Sequence, residues 1–366
     1  MTDALLRVDD LHTRFDSDRG TVHAVDGVSF GVNRGEIVGV VGESGSGKSV
    51  TARSLLRLED PGKIVSGRID FDGQDLTQAD EATLRRVRGD DISIVFQDPH
   101  ETLNPVFTVG EQVAEAVRIH DDPSQGLLDF LGVPPCRKRG AWKRAEERAV
   151  ELLDQVAMPD PARSADAYPH ELSGGMRQRA MLAVALASDP DLLIADEPTT
   201  ALDTTTQAGI LQRIRTLRDR RDLGVLLISH DIGVVAQTCD RVVVMYGGRV
   251  MESGPVDEVL TAPEHPYTRA LLECSPRNLA AGERVGTLDG DPPDAVGGHD
   301  GCPFAERCRH ATLDCRDGAI PVTEPEPGHR VACIEAPLEP HERPTVSGGT
   351  RTPNPKQVAL DGGDEE

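Results

Sequence analysis

Short, continuously apolar runs alternate along this chain with segments whose apolar residues recur every three to four positions. Residues 22–30 and 36–42 read as strands. The second is almost entirely apolar, as a strand covered on both faces of a parallel sheet must be. Residues 47–58 then read as a helix, and 64–72 and 92–96 as further strands. Helical periodicity predicts helices near 109–119, 144–157 and 175–187. A short buried strand at 191–195, a helix at 204–218 and a strand at 224–229 complete the pattern. Strand alternating with helix predicts an α/β fold with a mainly parallel sheet. The early strands at 5–9 and 22–30 predict a small antiparallel addition.

After about residue 261 the periodicity fades while Pro, Gly, His and Cys rise, which places a small C-terminal domain at 262–338 behind a main domain at 1–261. From 339 to 366 the chain is acidic and rich in Pro and Gly with no apolar run, and is expected to be disordered. Residues 120–143 form a second irregular stretch, holding the only tryptophan, Trp142, and read as a surface insertion.

Composition narrows the function. Among 366 residues, 62 acidic against 39 basic side chains leave a net charge of −23. That argues against nucleic acid as the main partner, since phosphate backbones demand a basic footprint. Only Lys48, Lys63, Lys138, Lys143 and Lys356 are lysines; such a surface resembles that of a salt-loving organism, the alternative being a merely acidic protein with an acidic tail. The N-terminal residues carry Asp3, Asp9 and Asp10 and do not read as a signal peptide. No run of eighteen apolar residues occurs, so a membrane role must be borrowed from a partner.

Chemistry enters with Gly42-Glu43-Ser44-Gly45-Ser46-Gly47-Lys48-Ser49, a G-x-x-x-x-G-K-[ST] stretch between a buried strand and a helix. Its glycines let backbone N–H groups turn inward around phosphates, and the helix N-terminus adds partial positive charge. Lys48 supplies a point charge to the β- and γ-phosphates, and Ser49 a hydroxyl to Mg²⁺. A second apolar strand, Leu192 to Ala195, ends in Asp196 and Glu197. Asp196 suits Mg²⁺, and Glu197 lies where it can face the γ-phosphate and polarise water. On its own, such a pair is usually just a strand end meeting solvent; the upstream phosphate loop makes the catalytic reading the stronger one. Leu172-Ser173-Gly174-Gly175 opens a further helix, where a small-residue start is an anion site and Ser173 is also a natural N-cap.

The order of these motifs, with Gln97, Ala201-Leu202-Asp203 and His230, resembles the ATPases of ABC transporters throughout residues 5–255. The resemblance implies a P-loop cassette with an antiparallel β subdomain and a helical subdomain, followed by a small cysteine-containing extension. It implies that Phe15 stacks on adenine, that residues 42–50, Val50 included, cradle ATP, and that Gln97 contacts Mg²⁺ and senses the permease. It also implies that Ser173, Gly174 and Gly175 meet the γ-phosphate of ATP held by an opposite subunit, that Asp203 crosses that interface, and that His230 holds the γ-phosphate and orients Glu197. The stretch 97–105 with the helix at 109–119 resembles the surface that receives the permease's coupling helix. Met176 and Thr200 depart from the usual Gln and Ser, and methionine there resembles the oligopeptide/dipeptide importers. His265-Pro266-Tyr267-Thr268-Arg269-Ala270-Leu271-Leu272 and Gly301-Cys302-Pro303-Phe304 resemble the extension of the peptide and nickel importer ATPases.

That subgroup implies a related second ATPase subunit as dimer partner, a homodimer being the alternative. It further implies two membrane permease subunits, an extracellular solute-binding protein, and a peripheral location on the cytoplasmic face of the membrane. A soluble ABC protein acting on nucleic acid or ribosomes usually carries two cassettes or zinc modules and a basic surface; a kinase-like P-loop enzyme lacks L-S-G-G before D-E. The solute itself, whether dipeptide, oligopeptide, nickel or sugar, is not readable from a motor subunit.

Four of the seven cysteines, Cys302, Cys308, Cys315 and Cys333, crowd into C-x5-C-x6-C-x17-C. Four thiolates suit tetrahedral zinc or a 4Fe–4S cluster. The tight pair usual for zinc and the common ferredoxin spacing are both missing, so spacing leaves the two open. A cluster tolerates wider ligand separation, and the resemblance implies one, since some peptide-importer extensions carry it. Zinc, and unligated or disulfide-bonded thiols, are the alternatives.

Overall fold

The structure, a computed structural model, describes residues 4–97, 102–121, 139–200, 202–274, 288 and 290–336. Five parallel strands make its centre: β3 (Ile37–Val41), β6 (Ile92–Val95), β7 (Leu192–Asp196), β8 (Gly224–Ser229) and β9 (Arg241–Tyr246). They stand in the order β9-β3-β8-β7-β6. Their side chains alternate between two separate cores, as the period of a strand requires. Ile37, Val41, Leu193, Ala195, Val225, Leu227, Val242 and Val244 enter one. Val38, Val40, Leu192, Ile194, Leu226, Ile228, Val243 and Met245 enter the other.

The second core is closed by an antiparallel sheet, β2-β1-β4-β5, from β1 (Leu6–Ser17), β2 (Gly20–Val32), β4 (Lys63–Phe71) and β5 (Gln74–Asp75). Helix α1 (Lys48–Leu55) lies in the same core through Ala52 and Leu55. The first core is closed by helices: α2 (Val109–Asp121), α3 (Arg139–Gln155), α4 (Gly174–Ala185), α5 (Thr204–Arg221) and α6 (Ile232–Thr238). The expected strands and helices all form, as does the antiparallel addition. The stretch 120–143 lies largely outside the described residues, and the tail from 339 wholly so. Trp142 is half-buried, with the Arg118 guanidinium 4.4 Å from its ring centre.

The sheet does not stop where the periodicity fades. β9 turns through Gly247-Gly248, both at positive φ, into antiparallel β10 (Arg249–Pro255). A two-residue turn with that geometry needs glycine, and the apolar run followed by Gly-Gly was the hairpin signal that the periodicity reading passed over. β12 (His329–Ala332) pairs with β10, and β11 (Val322–Glu326) with β12, so the C-terminal extension lengthens the central sheet to eight strands. Helices α7 (Val256–Thr261) and α8 (Pro266–Glu273) pack beneath it. Tyr246, Tyr267 and Phe304 meet there with ring centres 4.6 to 5.3 Å apart. Glu252 of β10 is fully buried and takes hydrogen bonds from the Glu264 and His265 amides and from His329 Nε2, at 2.8, 3.1 and 2.7 Å.

Candidate nucleotide-binding site

Parallel strands end at a common edge, and loops leaving that edge bring together residues far apart in sequence. The phosphate loop leaves β3, Gln97 follows β6, Glu197 follows β7 and His230 follows β8. The loop is shaped by two glycines with no room for a side chain. A Cβ on Gly42 would lie 2.1 Å from the Met245 carbonyl oxygen, and one on Gly47 would lie 2.4 Å from that of Ala24, with φ at +97°. Gly47 ends the loop and Lys48 begins α1. Ser44 and Gly45 are exposed, Ser46 is buried, and Val50 packs against the core beneath α1.

Lys48 is buried and its ammonium is held inside the loop, donating to the Gly42 and Glu43 carbonyls at 2.8 and 2.7 Å and to Ser46 Oγ at 3.2 Å. Burial lowers its pKa, against the opposing pull of Glu197, Asp196 and Glu43. A poorly hydrated ammonium among acceptors is a strong docking point for an incoming phosphate. Ser49 Oγ donates to Asp196 Oδ1 at 3.0 Å, so the hydroxyl and carboxylate suited to Mg²⁺ stand side by side. Burial raises the Asp196 pKa, which the Ser49 hydrogen bond only partly offsets; a divalent cation relieves such a desolvated carboxylate.

One carboxylate oxygen gathers the rest. Glu197 Oε2 accepts from Gln97 Nε2 at 3.1 Å and from Thr200 Oγ1 at 2.9 Å, and lies 3.1 Å from His230 Nδ1. Glu197 sits in the left-handed region, φ +48°, a conformation that a non-glycine residue holds only under constraint from its surroundings. Its amide donates to the Ile228 carbonyl at 3.0 Å, which ties it to the neighbouring strand. Glu197, Gln97 and His230 are thus brought together as the motif order implied. Thr200, treated at the sequence level only as a departure from the usual serine, is the third partner.

The remaining residues stand apart. Ser173 is the N-cap of α4, its Oγ accepting from the Met176 amide at 3.3 Å, so the capping role holds. Gly174 lies against Leu202; Gly175 is buried, and a Cβ there would lie 2.3 Å from Thr206 Cγ2. Asp203 caps α5, and the hydrogen bonds from Thr206 hold its exposed carboxyl below the usual range. α4 belongs to the helical core and α1 to the opposite one, so Ser173–Gly175 and the phosphate loop lead into different faces of the sheet. Phe15 lies in β1, half-buried, paired with Val22 and with its ring against Gly62. Asp98 and Ala201 lie outside the described residues.

Sequence reasoning also missed the surroundings of Glu43. Its amide donates to Tyr267 Oη at 2.9 Å, and its carboxylate is held by Arg307. Both partners come from the C-terminal extension, and no local pattern could have pointed to either.

Cys302, Cys308, Cys315 and Cys333 line one small cavity together with His265, Phe304 and Ile320. All four are free of disulfides. Burial pushes the Cys302 thiol up to about 11 and raises Cys308 and Cys333. The donor set suits a soft metal, but among the described residues no group of three or more His, Cys, Asp or Glu is arranged to hold a metal ion.

Residues 25–200 match the ABC transporter family, and residues 251–315 match the oligopeptide/dipeptide transporter C-terminal region. A probable peptide ABC transporter ATP-binding protein of Sinorhizobium fredii is 47% identical over 90% of this chain and 95% of its own length. The dipeptide transport ATP-binding protein DppD of Escherichia coli is 41% identical over 94% of this chain and all of its own. The dimeric, post-hydrolysis structure of the ATP-binding cassette MJ0796 with ADP and phosphate superposes with a TM-score of 0.57 at 27% identity, covering 69% of this chain and 98% of that one.

Proposed function

The chain belongs to the ATP-binding subunits of ABC transporters, in the peptide-importer group, and we propose that the site built around Glu197 hydrolyses ATP to power uptake of a di- or oligopeptide solute. The observation that carries this reading is the meeting of Gln97, Thr200 and His230 on Glu197 Oε2, at the strand edge that also bears Lys48, Ser49 and Asp196. Glu197 accepts the proton of the attacking water, His230 and Gln97 hold its carboxylate in line, and Lys48 exchanges its carbonyl partners for phosphate oxygens. Phe15 supplies an aromatic face for the adenine. Ser49, Gln97 and Asp196 would hold Mg²⁺, which neutralises charge on the β- and γ-phosphates. A positioned general base contributes about 10² to 10⁴ in rate. Glu197→Gln is therefore expected to bind ATP as the wild type does and to lose hydrolysis by that factor; near-normal turnover by the variant refutes the assignment.

The cassette works as a dimer, with Ser173, Gly175 and Asp203 of one subunit facing ATP on the other. Support comes from their position on the face opposite α1 and from the dimeric state of the superposed cassette. Closing such a switch takes roughly 5.5 kcal/mol of differential binding, within reach of a few hydrogen bonds to charged groups at about 1.5 to 3 kcal/mol each. The partner is a related second ATPase; Glu197→Gln protein that stays monomeric with ATP, alone and with that subunit, refutes this.

Permease subunits dock on the loop before α2, with the chain held peripherally on the cytoplasmic face of the membrane. Leu103, within that loop, is buried, whereas Val106 and Phe107 are exposed apolar residues in need of a cover. Cysteines placed at 106 or 107 are expected to cross-link to the permease in an active transporter, and failure to do so counts against this docking face.

The cysteine cavity holds a structural 4Fe–4S cluster. The convergence of four thiols free of disulfides, Cys315 and Cys333 buried and Cys302 and Cys308 partly so, supports this, although their present arrangement is not a formed metal site. About four irons and four sulfides per chain after anaerobic purification are the expected result; one zinc, or no metal, overturns it.

A further inference from the structure

Glu43, the second residue of the phosphate loop, is a carboxylate in a place that must receive a polyanion. Left free there, it would repel the phosphates that the loop gathers. It is not free. Arg307, 264 residues further along the chain, sets Nη1 2.7 Å from one of its carboxylate oxygens and Nη2 3.2 Å from the other, the two-pronged geometry only arginine provides. The Arg307 side chain is 7% exposed. It is fixed further by Tyr246 Oη at 2.8 Å and the Leu288 carbonyl at 3.1 Å. Tyr267 takes the Glu43 amide, so both ends of the residue are held by the extension and the aromatic cluster behind it.

The third group of Glu43 faces the nucleotide machinery. Its carbonyl accepts from Lys48 Nζ at 2.7 Å. Turning the Glu43 peptide therefore moves an acceptor of the ammonium that meets the phosphates. Arg307 in turn sits on the short run of turns carrying Cys302 and Cys308, where the Ala305 amide bonds to the Cys302 carbonyl and the Arg307 amide to that of Phe304. The thiol cavity and the phosphate loop thus share one short segment.

We propose that the C-terminal extension sets the nucleotide affinity of the cassette, with Arg307 and Tyr267 as positioning residues that neutralise and orient Glu43 of the phosphate loop. This rests on the reading that residues 42–49 hold ATP. The extension is then a working part of the nucleotide site, reaching it from the far end of the sheet.

The test is the affinity of the full chain for a fluorescent, non-hydrolysable ATP analogue with Mg²⁺. Arg307→Gln leaves the Glu43 carboxylate unpaired beside the phosphates, and a loss of about tenfold or more is expected, the scale of one lost charge-assisted hydrogen bond. Adding Glu43→Gln removes the offending charge, and the double variant is expected to return to within about threefold of wild type. A purely structural role for Arg307 has no reason to be rescued in this way. Unchanged affinity in Arg307→Gln, or a loss that Glu43→Gln does not relieve, overturns the proposal. Should Arg307→Gln fail to fold, Tyr267→Phe decides: it removes one hydroxyl, about threefold weaker binding is expected, and wild-type affinity refutes the clamp. Lys48→Ala separates this question from the one beneath it. Wild-type protein that binds no analogue, or Lys48→Ala that binds as well as wild type, sinks the assignment of the loop itself and not the clamp alone.

Discussion

Replacing Glu252 by alanine should undock the C-terminal extension from the cassette while leaving the rest folded. Glu252 and His329 are both buried, and the Glu252 carboxylate accepts from the Glu264 and His265 amides. Alanine takes the carboxylate acceptor from two buried N–H groups, at about 1 to 3 kcal/mol each, and removes the charge opposite His329. The sum agrees with the roughly 3 to 5 kcal/mol lost when one member of a buried pair is deleted. Since β12 leads directly into Cys333, which is buried, opening of the β10–β12 pairing exposes that thiol. At about 1.4 kcal/mol per factor of ten, maleimide labelling of Cys333 in metal-stripped protein should run about 140- to 3700-fold faster than in wild type, provided labelling tracks the open population. Mass spectrometry of the labelled peptide reads the rate. Glu252→Gln, with one acceptor for three donors, should fall between. Labelling within about threefold of wild type, in Glu252→Ala protein that still binds ATP analogue, refutes the reasoning.

The same latch should weaken with rising pH. Burial disfavours charge on His329, but the hydrogen bond and charge of Glu252 outweigh it and hold the His329 pKa above its ordinary value. The stabilisation is therefore complete below the unfolded value of about 6.5 and is lost as pH climbs through the raised folded value; His329→Gln should abolish that alkaline loss in denaturation curves. In α4, Gly175→Ala drives a Cβ into Thr206 Cγ2, 2.3 Å away. ATP-dependent dimerisation should fail while the single chain still binds nucleotide, and Thr206→Ser, which removes that methyl group, should restore it in sizing experiments; no loss in the single variant, or no rescue in the double, contradicts the assigned role.

Much of this protein was readable before any coordinates, for a definite reason. A phosphate loop is a local device: glycine spacing, the lysine and the helix start all lie within eight residues, so Gly42 to Ser49 announce their own geometry. The same holds for Ser173 as a helix cap and for the apolar run ending in Asp196 and Glu197. Strand and helix periods are local too, and they marked the α/β core correctly. Pairing between distant segments is not local. Nothing near Glu197 in the sequence shows that its carboxylate meets Gln97 and His230, 100 and 33 residues away; parallel strand ends decide that. Fading periodicity after residue 261 hid strands β11 and β12, because short strands at a sheet edge carry little alternation. The burial of Glu252 against His329 depends on the β10–β12 pairing, and the clamp of Arg307 on Glu43 on how the turns of the extension pack beside the phosphate loop. Long-range electrostatic pairing costs the chain its loop entropy and leaves no periodic trace. Local chemistry was written in the sequence, while the joining of the extension to the nucleotide site was decided only by the packed sheet.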